Sequence, residues 1–134
     1  MVSSTTVPHN RSVTGLILFA HGARDPRWAE PFERLKRKVH TARPGVPVAL
    51  AYLEIMQPDL ADAADQLIAA GCRSLRIVPV FLGQGGHVRD DLPAIVAKLT
   101  ARHPDVAIAL VTAVGDHDAV LDRIADVAIE GLPD

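Results

Sequence analysis

The chain has 134 residues, 49% hydrophobic and 22% charged, enough for one domain that buries about two-thirds of its unfolded surface. Fourteen basic and sixteen acidic side chains leave a formal charge of -2, so no global basic field exists to hold nucleic acid. No uncharged apolar stretch approaches a membrane span, and the single cysteine, Cys72, excludes an internal disulfide and fits a reducing cytoplasm.

Residues 1–13, MVSSTTVPHNRSV, lack the apolar core of a secretory signal and read as a disordered tail in which His9 is idle. Residues 14–134 read as a single domain. An apolar run at 16–20 predicts a first strand that surfaces at His21. Trp28, Phe32, Leu35 and Val39 then follow helical spacing. A second run, 46–53, ends at Glu54, and Pro58 is expected in the first turn of the next helix. That helix carries Leu60, Ala64, Leu67 and Ile68 and stops at Gly71, well placed as a C-terminal glycine. Cys72 reads as a small buried hydrophobe just ahead of the third run, 75–82. This run passes into GQGGHVRDD, with His87, before a helix bearing Leu92, Ile95, Val96 and Leu99. Asp90 is expected to cap that helix, with Pro93 in its first turn. The fourth run, 106–114, leads into GDHD, with Asp116 as N-cap and His117 beside it. Val120, Leu121, Ile124, Val127 and Ala128 complete the pattern.

The alternation is that of an α/β protein. Near-continuous apolar strands argue for a parallel sheet covered on both faces. Right-handed crossovers then give a small doubly wound four-stranded sheet of order 2-1-3-4.

In open parallel sheets, ligands bind beyond the carboxyl ends of the strands. His21, Glu54 and His87 each follow a strand, at equal intervals of 33 residues (54 − 21 and 87 − 54). The interval partly reflects the length of a βα unit. Taken singly, each residue reads as an ordinary loop or capping group. Two histidines and a carboxylate converging on one rim form a plausible site for a borderline divalent metal. GQGGH lacks the Lys-Ser/Thr of a P-loop and the G-x-G-x-x-G of a dinucleotide fold, yet its glycines let backbone N–H groups approach a flat or anionic ligand.

HGARDP after the first strand, Glu54 with Pro58 four residues later, and VPVFLGQGGHVRDDLP at the third strand together carry a resemblance. They resemble the class II chelatases, the sirohydrochlorin cobaltochelatase and ferrochelatase family, in its short single-unit form with a flavodoxin-like, chelatase-type fold. The resemblance runs from Leu16 nearly to the end. It departs after the fourth strand, where the family usually has a glycine and a His-Pro and this chain has GDHDA.

The resemblance implies insertion of a divalent metal, Co²⁺ first and Fe²⁺ or Ni²⁺ otherwise, into sirohydrochlorin in cobalamin or sirohaem synthesis. The metal is then a substrate, and no tightly bound cofactor is expected. By the same analogy His21 and His87 face each other across a cleft, hold the metal and accept pyrrole protons. Glu54 serves as third ligand or substrate contact, and Leu82, Gly83, Gln84, Gly85 and Gly86 line the macrocycle. Longer members fuse two such units, which implies a homodimer here.

The residue chemistry suits that reading. Neutral imidazoles serve as ligand and base near pH 7, and a site without thiolate releases its metal more readily. Sirohydrochlorin is rich in carboxylates, and Arg24 and Arg89 flank the two histidines. Arg27 reads as surface charge and Trp28 as core. A histidine phosphoryl-transfer enzyme competes poorly, because Ala20 stands where an arginine would bind phosphate. A non-catalytic metal or tetrapyrrole carrier would use the same rim.

Overall fold

In a computed structural model, which describes residues 13–83 and 85–134 but not the side chains of residues 86, 87 and 89, four parallel strands form one sheet. They are β1 (Thr14–Ala20), β2 (Val48–Tyr52), β3 (Ser74–Pro79) and β4 (Ala107–Leu110), in the order β2-β1-β3-β4. The helices between and after them are α1 (Glu30–Ala42), α2 (Leu60–Ala69), α3 (Gly86–Arg102) and α4 (Asp118–Ile129). The order and the parallel sense are those the periodicity predicts. Strand β1 starts two residues ahead of its apolar run, at Thr14, whereas β2, β3 and β4 are shorter than theirs, because Leu53, Phe81 and Val111 continue into the turns beyond the sheet. Residues 1–12, with His9, lie outside the described residues.

One face of the sheet carries the main core. Ile17, Ile77 and Leu110 lie in one register row, and Ile17, Phe19, Ala51, Leu75 and Ile77 pack with Leu60, Ala63, Ala64 and Leu67 of α2 and Leu92 and Leu99 of α3. The opposite face is covered by α1 over the β1–β2 half only. There Ala20 and Tyr52 meet Trp28, Phe32 and Leu50, with the Trp28 and Phe32 rings 4.5 Å apart. Trp28 is thus a packing residue, as expected, although it stands in a short 3-10 turn (Pro26–Ala29) ahead of α1. Over the β3–β4 half of this face no helix lies among the described residues, and Arg76, Ala107 and Ala109 are exposed.

Helix α2 shows how the local signals act. Asp59 caps it, its carboxylate accepting from the Asp62 N–H at 2.8 Å. Gly71, at φ +110°, ends it in a Schellman motif: the Gly71 N–H donates to the Ile68 carbonyl and the Cys72 N–H to that of Leu67.

Three helix starts differ from expectation. Pro58 precedes the cap Asp59 instead of entering the first turn of α2. Helix α3 begins at Gly86 with Gly85 as N-cap, which leaves Asp90 and Pro93 inside the helix. Glycine disfavours helix interiors, so GQGGH reads as loop, but in a first turn the penalty is small beside what the rest of a 17-residue helix gains. Asp116 belongs to a 3-10 turn (Val114–Asp116), and His117 takes the N-cap position of α4. No helix among the described residues is long and apolar enough to cross a membrane.

Candidate functional site

Strand β1 is buried from Ile17 to Ala20, then releases the chain at His21 on the carboxyl rim. The β1–β2 pairing continues one step past both strands. The Leu53 N–H donates to the Ala20 carbonyl at 2.9 Å, and the Glu54 N–H donates to the His21 carbonyl at 3.1 Å. This backbone register brings the two side chains together: His21 Nε2 lies 2.8 Å from Glu54 Oε1. Both remain about half exposed, at 48% and 55%. The imidazole also stands edge-on to Phe81, ring centres 6.5 Å apart, and Phe81 leans on the core ring of Phe19 at 6.1 Å.

Two backbone features hold this junction. Gly22 has φ +100°, and a Cβ there would sit 2.0 Å from the Glu54 carbonyl oxygen. Only glycine lets the chains pass so closely. Ile55 has φ +71°, and the Met56 N–H closes onto the Glu54 carbonyl at 2.7 Å, a tight three-residue turn. A β-branched residue in that conformation stores on the order of 1–3 kcal/mol of strain, and such strain concentrates at functional sites.

Of the other expected site residues, Arg24 is exposed just beyond β1. Leu82, Gly83 and Gly85 form the exposed β3–α3 connection on the same rim. His87 and Arg89 stand in the first turn of α3; their side chains, and Gln84 entirely, lie outside the described residues, as does any contact between His21 and His87. Among the described residues no group of three His, Cys, Asp or Glu converges, so the assembled donors are the His21–Glu54 pair. His117 reaches the same end of the sheet but engages Thr112 Oγ1 at 3.2 Å. Arg27 is bound by Asp25 at 2.7 Å, which lowers the Asp25 carboxyl and raises the Arg27 guanidinium from their ordinary values. It is occupied locally, in line with a surface role.

Phe81, Gly22 and Gly115 were not among the expected site residues. Gly115 donates its N–H to the Phe81 carbonyl at 3.0 Å, and a Cβ there would sit 1.8 Å from the Leu82 carbonyl oxygen. It clamps the turn after β4 onto the β3–α3 connection. The sequence signal for Gly22 was the His-Gly pair at a strand end. The other two depend on how separate loops approach each other. A cavity of about 1030 Å³ runs along β2 beside α1 and contains neither His21 nor Glu54, so the pair sits on an open rim.

The chain matches the CbiX family over residues 15–130. It is 31% identical over 84 residues to a sirohydrochlorin cobaltochelatase of Methanococcus aeolicus, 63% of this chain and 59% of that relative, so the match spans about three-fifths of the relative's length. Among solved structures, the CbiX protein of Marinobacter aquaeolei VT8 superposes with a TM-score of 0.79 at 34% identity, covering 89% of this chain and 97% of that one. SirB from Bacillus subtilis, solved with Fe³⁺, gives 0.75 at 20% identity over 90% of this chain and 48% of its own, a likeness of fold. The rim that carries His21 and Glu54, the 2-1-3-4 sheet beneath it and a match from residue 15 to residue 130 agree: this chain belongs to the CbiX family.

Proposed function

We propose that this chain is a metal chelatase that inserts a divalent metal, Co²⁺ in the first place, into sirohydrochlorin. The observation that carries the reading is the His21–Glu54 pair at the head of β1 in a chain of this family. The names of similar proteins, cobaltochelatase in Methanococcus aeolicus and ferrochelatase in Arabidopsis thaliana, support the reaction class.

The pair has the geometry of a nascent chelate. With Glu54 ionised, a 2.8 Å contact to Nε2 requires a proton on Nε2, which leaves the lone pair of the neutral ring on Nδ1. Two donors bonded to one metal at about 2.1 Å in cis positions stand roughly 3.0 Å apart. His21 Nε2 and Glu54 Oε1 need to separate by only a few tenths of an ångström for a metal to replace that proton. The ring proton moves to Nδ1 as the metal takes Nε2, so the neutral imidazole binds without net proton release. Protons compete with the metal for the donors, and occupancy falls as the pH drops. Insertion then passes the metal to the macrocycle and releases two pyrrole protons, for which His21 and His87 are the acceptors in this reading. A mixed imidazole–carboxylate set without thiolate suits a metal that must leave again.

The remaining roles are those that the family resemblance implies. Glu54 shares the metal with His21 and His87. Arg24 and Arg89 meet substrate carboxylates. Leu82, Gly83, Gln84, Gly85 and Gly86 form the floor beneath the macrocycle. Residues 14–134 act as one domain, with no tightly bound cofactor. A cytoplasmic setting is supported by the lone cysteine, which is free and buried. A homodimer is supported by the openness of the rim, since one unit encloses little of a large macrocycle. The test is turnover: anaerobic Co²⁺ insertion into sirohydrochlorin, followed by absorbance above the spontaneous rate. Multiple turnovers per chain are expected. Stoichiometric binding without turnover would make the protein a carrier.

A further inference from the structure

Ile55 holds a backbone conformation that its side chain opposes, and packing does not explain it. It is the central residue of the tight turn after Glu54, at φ +71°, where a β-branched side chain is strained and glycine is not. Such strain persists in a core when burial of the side chain outweighs it. Ile55 is instead 59% exposed, and among the described residues it joins neither apolar cluster. Its neighbours differ: Leu53 packs against the main core and Met56 against the cluster around Tyr52. The turn is thus anchored on both flanks and delivers one apolar side chain to water beside the Glu54 carboxylate.

A second exposed apolar side chain stands on the same rim. Leu82 is 62% exposed and follows Phe81, whose ring is edge-on to His21. Strands β2, β1 and β3 are neighbours in that order, so Ile55, His21 and Leu82 follow three adjacent strand ends. With strands about 4.8 Å apart, the two apolar positions flank the imidazole at a separation of roughly 10 Å. All other large exposed apolar side chains among the described residues are Val13 or lie on and beyond α4. An imidazole and a carboxylate suit a metal, whereas apolar groups on either side of them suit the carbon face of a flat conjugated ring. We propose that Ile55 is a substrate-binding residue whose side chain packs on the face of the tetrapyrrole, with Leu82 on the other side of His21, and that the strained turn persists for this contact. The inference rests on the chelatase reading and adds to it an apolar contact beside the donors. That contact acts on the ring itself, not on the metal or the substrate carboxylates, so salt does not screen it.

The probe is metal-free sirohydrochlorin, titrated by its own absorbance against the wild-type chain, Ile55→Gly, Ile55→Asn and Ile55→Val, with Tm measured for each. Glycine and asparagine both accept a positive φ, so these two variants should melt at or above the wild-type temperature. Both should nevertheless bind the ring about tenfold more weakly, by the same factor at low and at high salt. Ile55→Val keeps most of the branched apolar surface and should recover most of the affinity. Stability that holds or rises while affinity falls marks a side chain retained for its ligand. Wild-type affinity in Ile55→Asn or Ile55→Gly, or a loss of affinity that follows a loss of Tm, overturns the inference. A wild-type chain that binds the ring without multiple turnovers overturns the chelatase reading alone, because the titration contains no metal. A wild-type chain that does not bind the ring overturns both.

Discussion

Replacing Gly22 with alanine tests whether the backbone crossing behind His21 sets the site. The new Cβ would stand 2.0 Å from the Glu54 carbonyl oxygen, where ordinary contact begins at 3.4 Å. One of the two chains must retreat by about 1.4 Å, the difference between these distances. The retreat falls on the segment whose register makes the 2.8 Å His21–Glu54 contact. A misplacement of about 1 Å at reacting groups costs on the order of 100-fold in rate. The φ of +100° adds strain of roughly 1–3 kcal/mol for a side-chain-bearing residue. For a domain of this size that lowers Tm by roughly 3–15 °C. The assay is Co²⁺ insertion into sirohydrochlorin at a temperature where the variant is fully folded, with Tm measured in parallel. Gly71→Ala supplies the control for strain alone, because Gly71 has φ +110° with nothing within 4 Å and stands far from the rim in sequence and fold. It should lose stability and keep kcat/KM. Gly45→Ala, with open space around it and no positive φ, should change neither. Wild-type kcat/KM in folded Gly22→Ala, or an equal loss in Gly71→Ala, would refute the reasoning.

His21→Ala should abolish most of the chelation rate above background while lowering Tm by no more than a degree or two, since the ring is half exposed; His40→Ala and His103→Ala should keep the rate, although His103 will cost stability through its 2.9 Å contact with Asp65. Arg24→Ala should raise KM several-fold with little change in kcat, because an exposed arginine binding substrate carboxylate acts alike on ground and transition states; unchanged KM at low salt excludes the role. Burial raises the Cys72 thiol above its ordinary value of 9.0, so the native state holds that proton when the unfolded chain has lost it. Stability from this source is therefore complete below the ordinary value and declines as pH rises through and above it. Urea midpoints from about pH 8 to about pH 10 should fall more steeply in wild type than in Cys72→Ala, and equal slopes would contradict the assignment.

Much of the fold was legible because its signals are local or periodic. Apolar runs at 16–20 and 75–82 could only be interior strands, and the strand order follows from crossover handedness once the alternation is seen. His21 and Glu54 were legible for the same reason: strand ends in a parallel sheet share a rim, and these ends carried ionisable groups. The start of α3 was not, because GQGGH favours a loop by composition, whereas the observed helix recruits its last glycine into the first turn. The Gly22 and Gly115 contacts were hidden because each depends on the approach of a segment dozens of residues away. The stripe on α4 was read correctly as apolar. Periodicity reports which side of a helix avoids water, and is silent on whether the same chain supplies the cover.

Strand β1 lies between two hydrogen-bonded neighbours and is buried on both faces, so its amides open to solvent only when the whole domain comes apart. His21 is fastened directly to that strand. Glu54 hangs instead from a strained turn. The two donors thus differ in compliance: the imidazole is a fixed datum and the carboxylate is the part that yields. If the pair holds a metal as proposed, ions of different radius would be accommodated by displacement on the Glu54 side. Discrimination among them would then depend on the stiffness of residues 53–59, where substitutions would retune metal preference without disturbing the sheet.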